Sequence, residues 1–493
     1  MGMASFFDDG AIVDFESTGQ NQDTLEKALT AGYGTDAAAF TGGRALQPED
    51  LETTLVNVLD TLKEDCKLFN GLHKQPMKST VHQYTRRVGV GDDDFNFVGE
   101  GEEVSESEQE TERKFVNSKY IGTMGKVTKP REIVDGIEDA YNSEKIAATT
   151  RIARSTERSI FHGDSSVVPK QFDGIIKLIK DSANDTKRSE KNRATLIDLR
   201  GYQIGEDVAA DDKGILTGED LFDDVAQRVF SKGGGLDKAL YPAVLAGQFR
   251  TLYNDRLRYL TGDRHTGLGE LPDIVTAIGS TIRIKGENAG ADKMFKVKGK
   301  VVAAGNVSKR PNAPASVTAV AVEPSRGESK FISSHAGGDY LYAVHAVNSK
   351  GISAGTNAAA AVAVAEGKAV KLTITPDPNG ETPTGYIITR SNKEGTVLME
   401  MISIPALKGE STEYEDLNVD LPGTASIVLL SEKTQELKPN LSFAQLMALS
   451  TFPLPMDAGL NLPFVAALFG TVELRAPEFC ALIDNIGYQG GLY

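Results

Sequence analysis

The feature that most constrains this sequence is a change of pattern between residues 311 and 430. Short segments in which apolar and polar residues alternate follow one another there at nearly regular spacing, separated by Gly and Pro. The segments are Val317–Val322, Tyr340–Asn348, Val370–Thr375, Thr384–Arg390 and Val397–Ile404. This spacing favours a β-sandwich of about a hundred residues. Because sequence of a different, partly helical character lies on both sides, the sandwich is predicted to be inserted into a larger α+β unit.

Length and charge narrow the class of protein. A chain of 493 residues exceeds what one hydrophobic core usually organises, so two or three domains are expected. The net charge of -16 disfavours a protein whose main task is to bind phosphate backbones. The N-terminus carries acids where a signal peptide needs bases, and no apolar run reaches membrane-spanning length. We expect synthesis in the cytoplasm and no membrane partner.

The sequence carries none of the common signatures of catalysis. Cys66 and Cys480 are the two cysteines, and both lie in apolar stretches that predict buried, reduced thiols. The sequence has no phosphate-binding glycine loop, no nucleophile elbow and no histidine pair at zinc-ligand spacing. The acids of the region 92–112 lie in a low-complexity loop, a poor place to perturb a carboxyl pKa. We expect no enzyme activity, no cofactor and no metal.

The N-terminal quarter divides into an arm, a helical region and a long hairpin. Residues 1–47 lack sustained periodicity and predict a loosely structured arm. Within 48–79 a helix is predicted from Pro48, with apolar residues on one face, to Asn70–Gly71. Residues 80–131 alternate around an acidic middle and predict an extended two-stranded loop.

Charge is segregated within that loop. Ten acids and no base lie from Asp92 to Glu112, and six bases and no acid lie from Arg113 to Arg131. The two blocks could neutralise each other in one hairpin, or the loop could be a solvated charged segment, or it could lie across an oppositely charged neighbouring subunit. On the last reading the candidate contact residues are Asp92, Asp93, Asp94, Glu102, Glu103, Arg113, Lys114, Lys119, Lys126 and Arg131.

A long helix is predicted next, in a region extending over 132–216. It runs from Glu132 to Phe161, with a narrow apolar stripe that suits a helix lying across a surface. The stripe consists of Ile133, Ile137, Tyr141, Ala148 and Ile152. Gly163 is placed for a left-handed C-terminal cap.

The regions 217–310 and 431–493 flank the insertion. The first predicts a helix capped by Thr217, a turn at Gly233–Gly235, a strand at Tyr241–Leu245, a second helix around Phe249, and then short strands. In the second, Ser442 is placed to cap a short helix through Met447. The segment from Phe464 to Ile483 predicts apolar strands.

This order of elements resembles the major capsid proteins of tailed double-stranded DNA bacteriophages, the Hong Kong 97 type. The most family-like stretch runs from Leu462 to Pro477 and continues from Phe479 to Ile486. The resemblance implies a Hong Kong 97-like fold in which Thr80–Pro130 is an intersubunit clasp and Glu132–Phe161 a spine helix. The regions 217–310 and 431–493 would then form the central domain around the capsomer axis.

The resemblance also implies function and partners. Copies of the chain would assemble as hexamers and pentamers into an icosahedral head that encloses DNA without specific binding, and the chain would reside in the virion. Portal, scaffold and decoration proteins are the further partners implied. Some relatives join a loop lysine to an asparagine of another subunit, for which Lys119 or Lys126 with Asn485 would be the counterparts.

The insertion resembles fibronectin type III and related immunoglobulin-like domains. Pro311–Pro314 resembles their entry and Tyr340–Gly351 their tyrosine-bearing strand and turn, whereas the absence of Trp departs from their usual core. Such a domain would project from the outer surface. Two alternatives remain: an encapsulin-type shell protein, and a phage or cell-surface adhesin that binds carbohydrate through the sandwich. The sandwich and the acidic loop favour a phage over an encapsulin, and the helical first half and missing export signal disfavour the adhesin.

Overall fold

The computed structural model describes most of the chain from Cys66 onward. The described residues are 66–89, 97–98, 100–101, 103, 106, 108–133, 139–166, 169–199, 220–252, 273–285, 289–325, 327–332, 335–348, 350–407, 410–434, 438–457 and 459–487. The predicted arm 1–47, the helix start at Pro48, the cap at Thr217 and the acids Asp92 to Asp94 and Glu102 lie outside them.

Six helices and twenty-three strands lie in this described part. The helices are α1 (Lys67–Gly71), α2 (Lys129–Ile133), α3 (Ala140–His162), α4 (Ile175–Ala183), α5 (Asp220–Ser231) and α6 (Ala246–Leu252). The strands before the insertion are β1 (His73–Pro76), β2 (Val81–Gly89), β3 (Glu110–Asn117), β4 (Lys119–Thr128), β5 (Thr195–Asp198), β6 (Lys238–Pro242), β7 (Ile274–Val275), β8 (Thr281–Ile282) and β9 (Gly290–Asp292). Those that follow are β10 (Ala304–Gly305), β11 (Ser316–Val322), β12 (Gly338–Tyr340), β13 (Tyr342–Asn348), β14 (Gly351–Asn357), β15 (Val362–Val364), β16 (Ala369–Thr375), β17 (Gly385–Arg390), β18 (Met399–Pro405), β19 (Thr412–Asp416), β20 (Thr424–Leu430), β21 (Leu441–Pro453), β22 (Asn461–Leu474) and β23 (Ala481–Gly487).

A four-stranded sheet forms the support for the long helix α3. Its order is β1-β21-β22-β4, with β22 antiparallel to both neighbours and β1 parallel to β21. Alternate residues of β22, including Phe464 and Leu468, are fully buried together with Ile152 and Phe161 of α3. The apolar face of β22 and the apolar stripe of α3 thus pack against each other in one core, and both are removed from water.

A second, five-stranded mixed sheet has the order β5-β23-β20-β6-β9. All seven residues of β23 are buried, as expected for a strand covered on both faces. Helix α5 packs on this sheet through Phe222, Val225 and Val229, which share a core with Ile427 and Ile483. The predicted apolar strands between Phe464 and Ile483 are therefore present, and they link the two sheets.

The insertion contains two antiparallel sheets, β10-β14-β13-β17-β18 and β11-β16-β19, and the short pair β12-β15. Inward residues of both larger sheets, such as Leu372 and Val344, form one apolar core. Arg390 lies within this core. Its Nη1 is 2.5 Å from the carboxylate of Asp416, and its Nη2 donates a hydrogen bond to Asn418 at 2.7 Å. The predicted strands of this region are present with shifts of a few residues, and β14, β15 and β19 are additional.

Two linkers join the insertion to the rest of the chain, and a partly buried charge cluster fastens both of them. Lys298 of the incoming linker lies 3.0 Å from Asp420 of the returning one. Lys180 of α4 lies 3.3 Å from Asp420 and 2.6 Å from Asp484 of β23. Burial alone would raise the pKa of Asp420, but Lys180 and Lys298 outweigh burial and hold that pKa well below its usual range.

Several predicted features differ from the structure. The expected helix at Ser442–Met447 is wrong, because this segment is part of β21 and pairs with β22 and, at its start, with β1. Pairing on both sides outweighs the local helix signal. The strand predicted at Tyr241–Leu245 begins earlier, as β6. The long helix predicted from Glu132 begins at Ala140, as α3. Ile133, placed on its apolar stripe, belongs to the separate helix α2, which has no buried residues, and is 70% exposed.

Gly163 follows α3 for a reason other than the predicted one. Its backbone does not adopt the left-handed conformation. A Cβ at this position would lie 2.2 Å from the carbonyl oxygen of Phe172 and 2.5 Å from that of Ser159. Glycine is therefore required because another segment of backbone approaches closely, and Gly174 donates a hydrogen bond to the Gly163 carbonyl there.

Strand Thr424–Leu430 is paired outside the insertion. The sequence places it at the end of the sandwich, but in the structure it pairs with β23 and β6 of the five-stranded sheet. Its buried residues Ile427 and Leu429 belong to the core of that sheet. The sequence pattern alone could not separate this strand from the preceding ones, since an apolar strand has the same pattern in either sheet.

Candidate intersubunit hairpin

The charged loop predicted from the sequence is built on an antiparallel hairpin, β2 with β3. Residues directly opposite each other include Gln83 with Phe115 and Arg86 with Glu112. Because side chains alternate between faces, His82, Tyr84 and Arg86 lie on one face, which we call the inner face. The inner face is half-buried and the opposite, outer face is exposed.

The inner face is fastened to the subunit's own core at its base. Tyr84 donates a hydrogen bond through its hydroxyl to the carbonyl oxygen of Leu474 at 3.2 Å. His82 Nε2 lies 3.7 Å from the buried carboxylate of Glu473. Burial, and then the charge of Glu473, raise the pKa of Tyr84 to about 12, so the hydroxyl remains a donor over the physiological range.

A group of five charged residues fastens the far end of the hairpin. Arg86 Nε lies 2.9 Å from Glu112 and its Nη1 lies 3.0 Å from Glu478, which follows β22. Glu112 also accepts from Arg188 at 2.7 Å and lies 2.8 Å from Lys114. Burial alone would raise the pKa of Glu112, but hydrogen bonds from Lys114 and Arg86 outweigh burial and lower it to about 2.

The outer face and the tip face solvent. Arg87 and Arg113 lie on the outer face, together with Phe115, which is 61% exposed. The tip is the loop between β2 and β3. In it Phe97 is 98% exposed, Val98 is 48% exposed, and Glu103 is also exposed. A fully exposed Phe among acidic residues is unusual for a loop that contacts only solvent. Burying this side chain against another surface would stabilise the contact by about 2 kcal/mol or more.

A second exposed apolar surface lies on the four-stranded sheet, on the face opposite α3. In register across three strands are Phe452, Val465 and Met124, and likewise Met447, Phe469 and Tyr120. Met124 and Tyr120 are each 60% exposed and Phe452 is 45% exposed. The rings of Tyr120 and Phe469 meet edge to face with centroids 4.8 Å apart. We call Tyr120, Met124, Phe452, Val465 and Phe469 the sheet patch.

More than half of the chain is similar to a known protein family. A family described as the SU10 major capsid protein matches residues 22–306, more than half of the chain. The chain belongs to the SU10 major capsid protein family. The matched part contains the hairpin, α3 and the first strands of the five-stranded sheet, and it ends before β11.

Curated relatives of this SU10-family capsid protein are also phage capsid proteins. The putative major capsid protein of Enterococcus phage phiEF24C is 24% identical over 480 residues, covering 95% of this chain and 95% of that protein. The major capsid protein of Staphylococcus phage K is 23% identical over 485 residues, covering 95% of this chain and 96% of that protein. The chain is therefore a major capsid protein of a tailed phage, located in the virion, and the family decides against the encapsulin and adhesin alternatives.

Solved structures similar to this SU10-family chain include the capsid of an empty GTA particle, with a TM-score of 0.44 and 11% identity over 92% of this chain and 99% of that one. The capsid of the cyanophage P-SCSP1u has a TM-score of 0.44 and 11% identity, covering 94% of this chain and 97% of that one.

In the part of the SU10-family chain that the structure describes, no helix is long and apolar enough to cross a membrane.

The structure separates the candidate contact residues of this SU10-family protein into three groups. Asp92, Asp93, Asp94 and Glu102 lie outside the described residues, whereas Glu103, Arg113, Lys126 and Arg131 are exposed. Lys114 and Lys119 are engaged within the subunit, Lys114 with Glu112 and Lys119 with the carbonyl oxygen of Pro169 at 2.8 Å. Lys126 and Arg131 lie on or after β4, which belongs to the four-stranded sheet and not to the hairpin.

Sequence reasoning missed Arg86, Arg87 and the anchors Arg188 and Glu478 in this SU10-family chain. The consecutive pair Arg86–Arg87 in an alternating strand was a usable signal, because neighbouring residues must point to opposite faces. The distant partners carried no such signal. Asn485, the proposed cross-link partner, is 1% exposed; its side chain accepts from Leu421 and donates to Asp198.

Proposed function

We propose that this capsid protein builds a Hong Kong 97-type icosahedral head of hexamers and pentamers that encloses double-stranded DNA. The observation that carries the proposal is the hairpin β2–β3, which is fastened to its own subunit along the inner face and exposed along the outer face and tip. Membership of the capsid family supports homo-oligomeric assembly. The long helix α3 lying on a sheet supports the role of a spine.

The hairpin is proposed to be the intersubunit clasp. Its eight-residue strand β3, at about 3.3 Å per residue, spans about 26 Å. Inner-face ion pairs fix the direction of the hairpin, and a fixed direction lowers the entropy that a neighbouring subunit must remove on binding. The exposed bases Arg87 and Arg113 and the acidic tip give the hairpin both signs of charge, which suits head-to-tail contact between copies.

The receiving surface is proposed to be the sheet patch of the neighbouring subunit. The base of the hairpin is held on its own subunit, where His82 lies by Glu473 and Arg86 lies by Glu478. Phe97 and Val98 are exposed in the subunit, as are Tyr120 and Met124 of the sheet patch. The two exposed apolar surfaces are proposed to pack on each other between copies.

The insertion is proposed to be an immunoglobulin-like domain that projects from the outer surface of the head. Two antiparallel sheets around one core support the assignment. The proposed domain begins with β10, which pairs with β14, and ends before Thr424, while 217–303 and 424–493 form the central domain. Labelling of exposed lysines such as Lys350 on intact heads tests this: inaccessibility there would contradict an outward position.

Portal, scaffold and decoration proteins are proposed as further partners, and DNA as contents enclosed without specific binding. The net charge of -16 supports enclosure, because an acidic wall repels the phosphate backbone. The test of the whole proposal is size-exclusion chromatography and negative-stain electron microscopy of the purified full chain, alone and with scaffold protein. Rings, sheets or closed shells are expected, and a monomer under both conditions would contradict the proposal.

A further inference from the structure

A buried carboxyl group on α3 holds the short helix α1 in place. Glu157 has no exposed surface. Its Oε1 accepts a hydrogen bond from the backbone N–H of Leu68 at 2.9 Å, and its Oε2 accepts one from Phe69 at 2.7 Å. Both donors lie in the first turn of α1, where backbone N–H groups have no partner within the helix. A single side chain therefore joins α1 to the long helix.

A second carboxyl group meets the first from the five-stranded sheet. Asp292, at the end of β9, is 4% exposed and accepts from the backbone N–H of Met294 at 2.7 Å. Its carboxyl group is within hydrogen-bonding reach of that of Glu157. Carboxylates are acceptors only, so a hydrogen bond between the two groups requires a proton on one of them. The contact is therefore favourable only when the pair holds a proton.

The charged groups around the pair come from each packed element. From α1, Lys67 acts on Asp292. From α3, Arg154 and Arg158 flank Glu157 in sequence, and Arg158 is exposed. Lys293 and Lys296 follow Asp292, and Lys296 contacts Glu400 of the insertion. Like charges so close in a buried site cannot both be ionised at small cost.

We propose that Glu157 and Asp292 form a proton-dependent latch that fastens α1 to α3 and β9 and opens when the shared proton leaves. With the proton present, one carboxyl donates to the other and both acceptors of Glu157 remain on α1. Without it, two carboxylates face each other in an apolar interior, and separation relieves the repulsion. Because Glu157 holds α1 through two backbone hydrogen bonds, the latch controls how firmly α1 is attached to α3.

The direction of the pH response follows from the environment. Burial, and next the charge of Asp292, raise the pKa of Glu157 to about 8, and burial raises that of Asp292. An unfolded glutamate ionises near its ordinary value of about 4.3. The folded state therefore binds more protons, so the contribution of the pair to stability is complete below that value and is lost as pH rises through about 8.

The two cysteines of the chain provide a direct test. Cys66 precedes α1 and Cys480 precedes β23, and both are fully buried. The full-length chain is pulse-labelled with iodoacetamide from pH 7 to 9, and the modification of each cysteine is measured by peptide mass spectrometry. In the wild-type chain the ratio of Cys66 to Cys480 labelling is expected to rise about tenfold, since each pH unit above a pKa changes the protonated fraction tenfold.

Asp292→Asn is the matched variant, because its amide oxygen can accept from Met294 while its amide N–H group donates to Glu157 at every pH. Its labelling ratio is expected to stay constant within about twofold over the same range. Glu157→Gln replaces one of the two oxygens that accept from α1 with a donor, so its ratio should be higher at every pH but equally independent of pH, and it gives an independent answer if the first variant does not fold. A ratio that rises equally in both variants, or wild-type labelling of Cys480 that rises together with Cys66, would overturn the latch.

Discussion

Arg86 and Glu112 face each other directly across the two strands of the hairpin, with Nε 2.9 Å from Oε2. The same guanidinium reaches Glu478 at 3.0 Å, so one side chain ties the strands to each other and to the core. Arg87, the next residue, points the other way and is exposed. The two arginines therefore separate the anchoring of the hairpin from the surface that is proposed to contact other subunits.

Arg86→Ala is expected to loosen the hairpin within the isolated subunit. Hydrogen bonds to charged groups contribute about 1.5–3 kcal/mol, and the change leaves Glu478 without this partner. Hydrogen exchange of β2 and β3 should accelerate while α3 remains protected. Arg87→Ala is the control and should leave exchange unchanged, since exposed substitutions usually alter stability by less than about 0.5 kcal/mol. Equal exchange in the two variants would show that the anchor is not formed.

Arg87→Glu combined with Arg113→Glu is expected to block shell assembly without unfolding the subunit. Both side chains lie on the outer face, so reversal changes the charge presented to a neighbour and leaves the anchor intact. Electron microscopy and sedimentation measure assembly, and circular dichroism measures folding. Lys350→Glu on the insertion changes charge at a different surface and should assemble normally. Normal heads from the double variant would remove the electrostatic part of the clasp.

Phe97→Ser and Met124→Ser are expected to weaken assembly in the same way. Phe97 is almost fully exposed in the subunit, so its loss should change the free energy of unfolding by less than about 0.5 kcal/mol. Burial against a neighbour would make each substitution cost about 1–3 kcal/mol per contact in the shell. The critical concentration for assembly measures this cost. Val307→Ser, at an exposed position beside the insertion, is the control, and an unchanged critical concentration in the first two variants would exclude the sheet patch as the receiver.

Acid is expected to loosen the hairpin before it unfolds the core. The pKa of Glu112 is about 2 in the folded chain, below that of an unfolded glutamate, so the unfolded state binds more protons as pH falls. The stabilisation is complete above about pH 5 and is lost as pH falls toward 2. Hydrogen exchange of β3 between pH 5 and 2.5, corrected for intrinsic rates, measures this. Glu112→Gln should show a flatter pH dependence, and a profile that matches the wild type would contradict the assignment.

Arg390→Ala is expected to destabilise the insertion by about 3–5 kcal/mol, because it leaves the buried carboxylate of Asp416 without its cation. Arg390 is 1% exposed and lies over the rings of Phe331 and Tyr340. Thermal unfolding followed by limited proteolysis should show early cleavage between residues 311 and 416 with the core intact. Lys371→Ala, at an exposed position on β16, the central strand of the three-stranded sheet, serves as the comparison and should unfold like the wild type.

Several elements were predictable because their signals are local. Alternation indicated β2, β3 and most strands of the insertion, and the apolar stripe of Ala148 and Ile152 indicated the buried face of α3. The segregation of acids and bases pointed to the hairpin as the candidate surface. The local cap signal of Ser442 led to a helix prediction for Ser442–Met447, which is wrong, since the pairing partners of this segment in β22 and β1 are distant in sequence and leave no mark on the segment itself.

The sequence by itself determined the class of fold, the existence of an inserted β domain and the charge that the hairpin displays, because periodicity, turn residues and charge are properties of neighbouring residues. Only the tertiary structure decided which of those charges remain exposed. Lys114 turns inward to Glu112 and Arg113 outward, and that choice follows from which face of β3 meets Glu478 and Arg188. It also decided that Glu157 meets Asp292, since this buried contact requires three segments that are far apart in the chain to pack at one point.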